Sequence, residues 1–205
     1  MKQIAADLLK IKAVTLSPKK PFTWASGIKS PIYCDNRLTI SYPQIRKAIA
    51  EGLAALIKEK FPATEVIAGT ATAGIPHAAW VAEKLNLPMI YVRSKPKDHG
   101  QGRQIEGVLQ PGQKTVLIDD LISTGGSVLK AVKAAQKEQA NVLGVVGIFS
   151  YQLLAATENF SAAKIPFATL TNYSELIEVA QNSNYIDARD LQLLHAWRKD
   201  PQNWQ

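Results

Sequence analysis

Thr115-Val-Leu-Ile-Asp-Asp-Leu-Ile-Ser-Thr-Gly-Gly-Ser127 is the stretch whose reading decides the fold. Its apolar start predicts a buried strand over 114–119, too short for a helix. Asp119 and Asp120 then fall at the strand's carboxyl end. Ser123, Thr124, Gly125, Gly126 and Ser127 form a turn of small residues that opens a helix, with Val128, Ala131, Val132 and Ala135 on one face. Such a turn lets several backbone N–H groups point at one anion, and the helix dipole adds to the attraction. Carboxylates repel phosphate, so the acids must face a cation or sugar hydroxyls. A phosphorylated ribose carrying metal-bound pyrophosphate meets all three demands. A P-loop is excluded, since no G-x-x-x-x-G-K-[ST] occurs, and Gly100, Gly102 and Gly107 do not make G-x-G-x-x-G.

Outward from this stretch, strands alternate with helices. Strands are predicted over 65–69, 88–92, 142–149 and 167–170, and helices over 74–85, 174–180 and 188–197. Pro43 opens a further helix that turns Ile45, Ile49, Leu53, Leu56 and Ile57 inward. Residues 2–12 carry a helical stripe at Ile4, Leu8 and Ile11. Pro18, Pro21, Gly27 and Pro31 break 17–36 into irregular chain with short strands. The pattern is α/β, with a parallel sheet of about five strands covered by helices on both faces. Ligands of such sheets bind beyond the carboxyl ends of the strands, so each loop after a strand is a candidate site.

The chain's 205 residues, 46% hydrophobic and 20% charged, suffice for a sizeable core and argue against disorder. One cysteine, Cys34, excludes an internal disulfide and suits a reducing compartment. The start, MKQIAADLLK, lacks a secretory h-region, and the uncharged runs 66–82 and 141–157 are too short and too broken to span a bilayer. A cytoplasmic protein without a membrane partner is expected. Lys plus Arg outnumber Asp plus Glu by 24 to 17, which suits a polyanionic ligand or plain solubility. No zinc-ligand spacing and no basic zipper helix occurs, so nucleic acid is not the expected partner.

The 115–127 string closely resembles the phosphoribosyl pyrophosphate signature of type I phosphoribosyltransferases. The resemblance implies that fold, with a small N-terminal hood over 1–40 helped by parts of the C-terminal region, a core over about 43–170, and one domain over 1–205. It implies that Asp119 and Asp120 act on the ribose hydroxyls, and that the 5′-phosphate is taken by Ser123 to Ser127, with Leu121 and Ile122 counted in the same site.

The polar loop Tyr91-Val-Arg-Ser-Lys-Pro-Lys-Asp-His-Gly-Gln-Gly-Arg-Gln-Ile-Glu-Gly107 carries Arg93, Lys95, Lys97, His99 and Arg103 against Asp98 and Glu106. By itself it reads first as a solvated surface loop. Its Arg, Lys-Asp-His-Gly and Ile-Glu-Gly order resembles the catalytic loop of orotate phosphoribosyltransferases. That likeness implies pyrophosphate binding by Arg93, Lys97 and His99, with Lys97 stabilising the leaving charge. It also implies a homodimer in which the loop reaches the partner's site. Gly69-Thr-Ala-Thr-Ala-Gly-Ile-Pro76 resembles the family's second pyrophosphate loop, which assigns Thr70, Ala71, Thr72 and Ala73. Phe22-Thr-Trp-Ala-Ser-Gly-Ile-Lys-Ser-Pro-Ile-Tyr33 is similar to the lobe that closes over the base. Tyr33, Cys34 and Ser123 are expected at orotate.

The implied substrates are orotate and phosphoribosyl pyrophosphate. The implied cofactor is Mg²⁺, held mainly by substrate oxygens and water with no direct protein ligand. The likeness runs from Phe22 to about Gly147. Some members carry Lys where Ala25 and Ala73 stand, a second basic residue at Ser94, and Arg near Tyr151. Lys29, Lys95 and backbone N–H groups remain as donors for the orotate carboxylate. Two alternatives stay open: another base, purine or uracil, and a regulator that senses the sugar donor while binding nucleic acid. His77 is expected in the core and His195 on the surface. Trp24 reads as a buried aromatic, and Trp80, Trp197 and Trp204 show no functional spacing.

Overall fold

The computed structural model describes residues 2–24, 27–95 and 104–204. The chain opens with helix α1 (Lys2–Lys10). Two small antiparallel ribbons follow: β1 (Val14–Leu16) with β4 (Ile32–Cys34), and between them β2 (Phe22–Thr23) with β3 (Lys29–Ser30). A short 3-10 helix (Asn36–Ser41) leads into α2 (Pro43–Lys60), whose first residue is a proline that needs no intrahelical donor. Then come β5 (Val66–Thr70), α3 (Gly74–Leu85), β6 (Met89–Val92), β7 (Ile105–Glu106) and β8 (Lys114–Ile122). The rest is α4 (Gly126–Lys137), β9 (Asn141–Ser150), α5 (Leu154–Ala163), β10 (Phe167–Asn172), α6 (Tyr173–Asn182) and α7 (Ala188–Lys199).

The main sheet runs β10-β9-β8-β5-β6-β7. Five strands are parallel, as expected, and the sixth, β7, is an antiparallel edge that folds back on β6 through Tyr91↔Glu106 and Val92↔Ile105. All five residues of β5 are buried, as a central strand covered on both faces requires. On one face α2 and α3 press Ile49, Leu53, Ile57 and Val81 onto the sheet. On the other, Val128, Val132 and Phe160 do the same from α4 and α5. Each such side chain contributes about 2 kcal/mol by leaving water.

Three elements differ from the sequence expectation. β8 continues to Ile122 rather than ending at Asp119, because β9 is long enough to pair with it as far as Ser150. α5 was not foreseen, since its apolar residues make no helical stripe; only Ala156 and Phe160 are buried. The polar stretch 93–107 is not all loop: β7 stitches its end back to the sheet.

α7 reaches the N-terminal ribbons. Trp197 is fully buried, and its indole N–H donates to the Lys29 carbonyl at 3.0 Å. Its ring packs edge-on to Trp24 at 5.7 Å and to Tyr151 at 6.1 Å. The C-terminal helix therefore fixes where the ribbons sit over the end of the sheet.

Candidate active site

The extra length of β8 carries Asp119 and Asp120 within the strand rather than beyond it. Asp119 is 8% exposed, and its Oδ1 accepts the Asp120 backbone N–H at 3.0 Å. Burial, followed by the neighbouring Asp120 charge, pushes the Asp119 carboxyl from 3.8 to about 7. Burial also raises Asp120, with the Arg37 guanidinium pulling against it. Two carboxylates held partly out of water in this way favour a cation or hydroxyl donors beside them. Helix α3 packs against the same place: a Cβ on Gly74 would collide with the Ile118 carbonyl oxygen, so only glycine lets the helix start there.

Beyond Ile122 the chain turns through Ser123 and Thr124 to Gly125, which caps α4 at φ +76°. A Cβ on Gly125 would lie 2.5 Å from the Phe160 ring. The turn is tied down from α5, where the Asn159 amide donates to the Thr124 carbonyl at 2.9 Å. No acidic residue occupies the first turn of α4, so its free N–H groups and dipole are available to an outside anion.

A cavity of about 370 Å³ opens beside this helix start. Gly126, Ser127 and Lys130 of α4 line it, together with Thr70 and Ala71 after β5 and Arg93 after β6. The Thr70 hydroxyl is buried and has no hydrogen-bond partner among the described residues. Arg93 lies 3.7 Å from Glu106. The Ala71–Thr72 peptide is cis.

The short 3-10 helix that follows the N-terminal ribbons reaches Asp120. The Asn36 amide donates to the Asp120 carbonyl at 2.6 Å, while Asn36 Oδ1 is buried without a partner among the described residues. Asp35 grips Arg37 at 2.6 and 2.8 Å. Cys34 is buried, and burial with the nearby Asp120 charge pushes its thiol well above the ordinary range, so it is not a nucleophile. Tyr151 lies 5.0 Å from Trp24 and 5.4 Å from Phe149, and its backbone N–H donates to the Ile122 carbonyl at 3.1 Å. It therefore links the end of β8 to the ribbons.

The structure thus brings residues 70–71, Arg93 and the start of α4 around one cavity, and sets the two acids beside the ribbons. Thr72 is exposed, and Ala73 stands at the N-cap of α3. Ser123 is half-buried and Thr124 exposed. Ile122 is a core residue paired with β9, and Leu121 is half-buried and packs partly on the core. Tyr33 and Cys34 point to opposite sides of β4: the tyrosine is 45% exposed against Phe22, the thiol inward. Lys97 and His99 lie outside the described residues, as do Arg103 and Ala25. His77 is in the core and His195 is exposed, both as expected. Sequence reading missed Asn36 and Lys130. Nothing periodic marks Asn36, but Lys130 could have been found, four residues after Gly126 and so on its face of the helix.

Residues 40–152 match the phosphoribosyl transferase domain family. The chain is 69% identical over 201 residues, 98% of its length and 95% of the relative's, to the orotate phosphoribosyltransferase of Lactiplantibacillus plantarum. It is 66% identical to that of Enterococcus faecalis, covering 99% of this chain and 97% of the relative. Among solved structures, the UMP synthase of Leishmania donovani superposes with a TM-score of 0.83 at 26% identity. The match covers 97% of this chain but only 42% of that longer one. Identity of this degree along nearly the whole length, together with the matched domain, means that the chain belongs to the orotate phosphoribosyltransferase family.

Proposed function

We propose that this protein transfers the 5-phosphoribosyl group from phosphoribosyl pyrophosphate to orotate in the cytoplasm. The products are orotidine 5′-monophosphate and pyrophosphate, in pyrimidine biosynthesis. The observation that carries this reading is the convergence of three separate segments on one anion-ready cavity: the turn after β5, Arg93, and the open N-terminus of α4.

In this mechanism the 5′-phosphate rests on the N–H groups and hydroxyls of Ser123 to Ser127. Asp119 and Asp120 accept hydrogen bonds from the ribose 2′ and 3′ hydroxyls. The turn at Thr70 to Ala73 and Arg93 hold the pyrophosphoryl group. Lys97 and His99 add positive charge as the C1′–oxygen bond breaks. A ring nitrogen of orotate bonds to C1′ from the face opposite the leaving group, its proton passing to solvent, and the bonding pair of the broken C1′–oxygen bond leaves with pyrophosphate. The protein's work is placement and charge stabilisation. The paired acids suit a divalent ion carried on the donor's oxygens. Mg²⁺ prefers few protein ligands, and when bound it would neutralise charge on the departing group. The N-terminal ribbons, held by Trp197, act as a hood over the base, with Cys34, Tyr33 and Ser123 near it. A second copy of the chain supplies Lys97 and His99 of the loop across a homodimer, while Arg93 serves the cavity of its own subunit.

The test is turnover of the purified protein with Mg²⁺, phosphoribosyl pyrophosphate and a panel of bases, followed by ultraviolet absorbance. Orotate is expected to be consumed alone among orotate, uracil, adenine and hypoxanthine. Consumption of another base in its place rejects the assignment.

A further inference from the structure

Lys130 stands four residues into α4 from Gly126, on the same face. A helical side chain leans back towards the N-terminus, so its ammonium covers the turn where the free N–H groups lie. Among the described residues no carboxylate pairs with it, whereas Arg93, the other cation lining the cavity, already faces Glu106. The same cavity is lined by the buried Thr70, 4% exposed, whose hydroxyl has no partner among the described residues. A hydroxyl kept dry without a partner calls for a ligand acceptor. The remaining polar side chains of the lining, Ser94, Gln104 and Ser127, can all donate, and no carboxylate lines the cavity among the described residues.

We propose that Lys130 is a further binding residue for the reaction, holding the pyrophosphoryl group of the sugar donor together with Arg93 and the Thr70 hydroxyl. This rests on the transferase reading given above. The second cation balances charge that Arg93, shared with Glu106, cannot neutralise alone. The assignment places the pyrophosphoryl group on the α4 side of β5 and leaves the 5′-phosphate to the N–H groups at 123–127.

Calorimetric titration of inorganic pyrophosphate, and separately of ribose 5-phosphate, tests this without any turnover. Lys130→Gln should weaken pyrophosphate about tenfold and leave ribose 5-phosphate within about twofold, with Lys130→Arg restoring most of the affinity. Thr70→Val, which keeps the side-chain shape, should weaken pyrophosphate about threefold or more. Lys133→Gln, one turn on and facing the neighbouring groove rather than this cavity, should bind as wild type. Wild-type affinity in Lys130→Gln overturns the proposal. So does an equal loss in Lys133→Gln, which would mean only a general field, or a loss confined to ribose 5-phosphate. Failure of orotate turnover alongside Lys130-dependent pyrophosphate binding would refute the base assignment and leave this site standing.

Discussion

Replacing Asp119 by asparagine removes the charge that the fold tolerates least. In the unfolded chain this carboxyl titrates near 3.8, and in the folded protein near 7. Because the folded value is the higher, the folded state holds more protons across that window. Stability is therefore lost as pH rises through it and levels off above. At 1.36 kcal/mol per pH unit the ceiling on this loss is about 4 kcal/mol. Asp120 and its backbone N–H share the same field, so about half that ceiling, ~2 kcal/mol, is expected to return in Asp119→Asn at pH 8. For a chain of 205 residues that is a rise of about 4–8 °C in Tm, shrinking towards zero near pH 4.5. The assay is thermal unfolding of both proteins, without ligand, from pH 4.5 to 8.5, read as the difference between them. Taking the difference matters because His77 contributes a slope of opposite sign at the acid end. In parallel, kcat/KM should fall by about a hundredfold, since the ribose loses a charged acceptor. A difference in Tm that stays constant across the pH range would refute the argument that burial of this charge is a stored cost.

Four further outcomes are expected. His77 is buried with neither ring nitrogen paired among the described residues, and burial lowers it to about 4. Its folded value lies below the unfolded 6.5, so stability should drop as pH falls from 6.5 towards 4, and His77→Leu should flatten that drop in Tm measured at pH 4.5 and 7. Gly74→Ala forces a methyl against the Ile118 carbonyl, which is backbone and cannot swing aside; a loss of about 3 kcal/mol in urea unfolding is expected. Lys97→Ala should lower kcat by two to three powers of ten with an unchanged far-ultraviolet spectrum, roughly what loss of one preorganised charge costs. Mixing it with inactive Asp120→Ala should restore part of the activity if the loop crosses a dimer, and no recovery despite subunit exchange would place each loop in its own subunit.

Much of the fold was legible because its signals are local. Residues 74–85 show a helical period and open on a glycine, and α3 has those bounds. The 115–127 string joins an apolar run, paired acids and a small-residue turn within thirteen positions, so strand, site and helix start are all visible in one line. The strand's true end was not, because Leu121 and Ile122 are held in β8 by pairing with Phe149 and Ser150, partners nearly thirty residues away.

What the sequence by itself determined was the alternation of strands and helices, the order of the chemical groups, and the family. These depend on side-chain type and short spacing. Only the tertiary structure decided that Thr70, Arg93 and Lys130 share one cavity, that Asn36 reaches the Asp120 backbone, and that Trp197 clamps the N-terminal ribbons. Each of those contacts joins residues far apart in the chain. Their cause is which strands lie side by side in the sheet and how deeply each group is buried, and neither is written in any local run of residues.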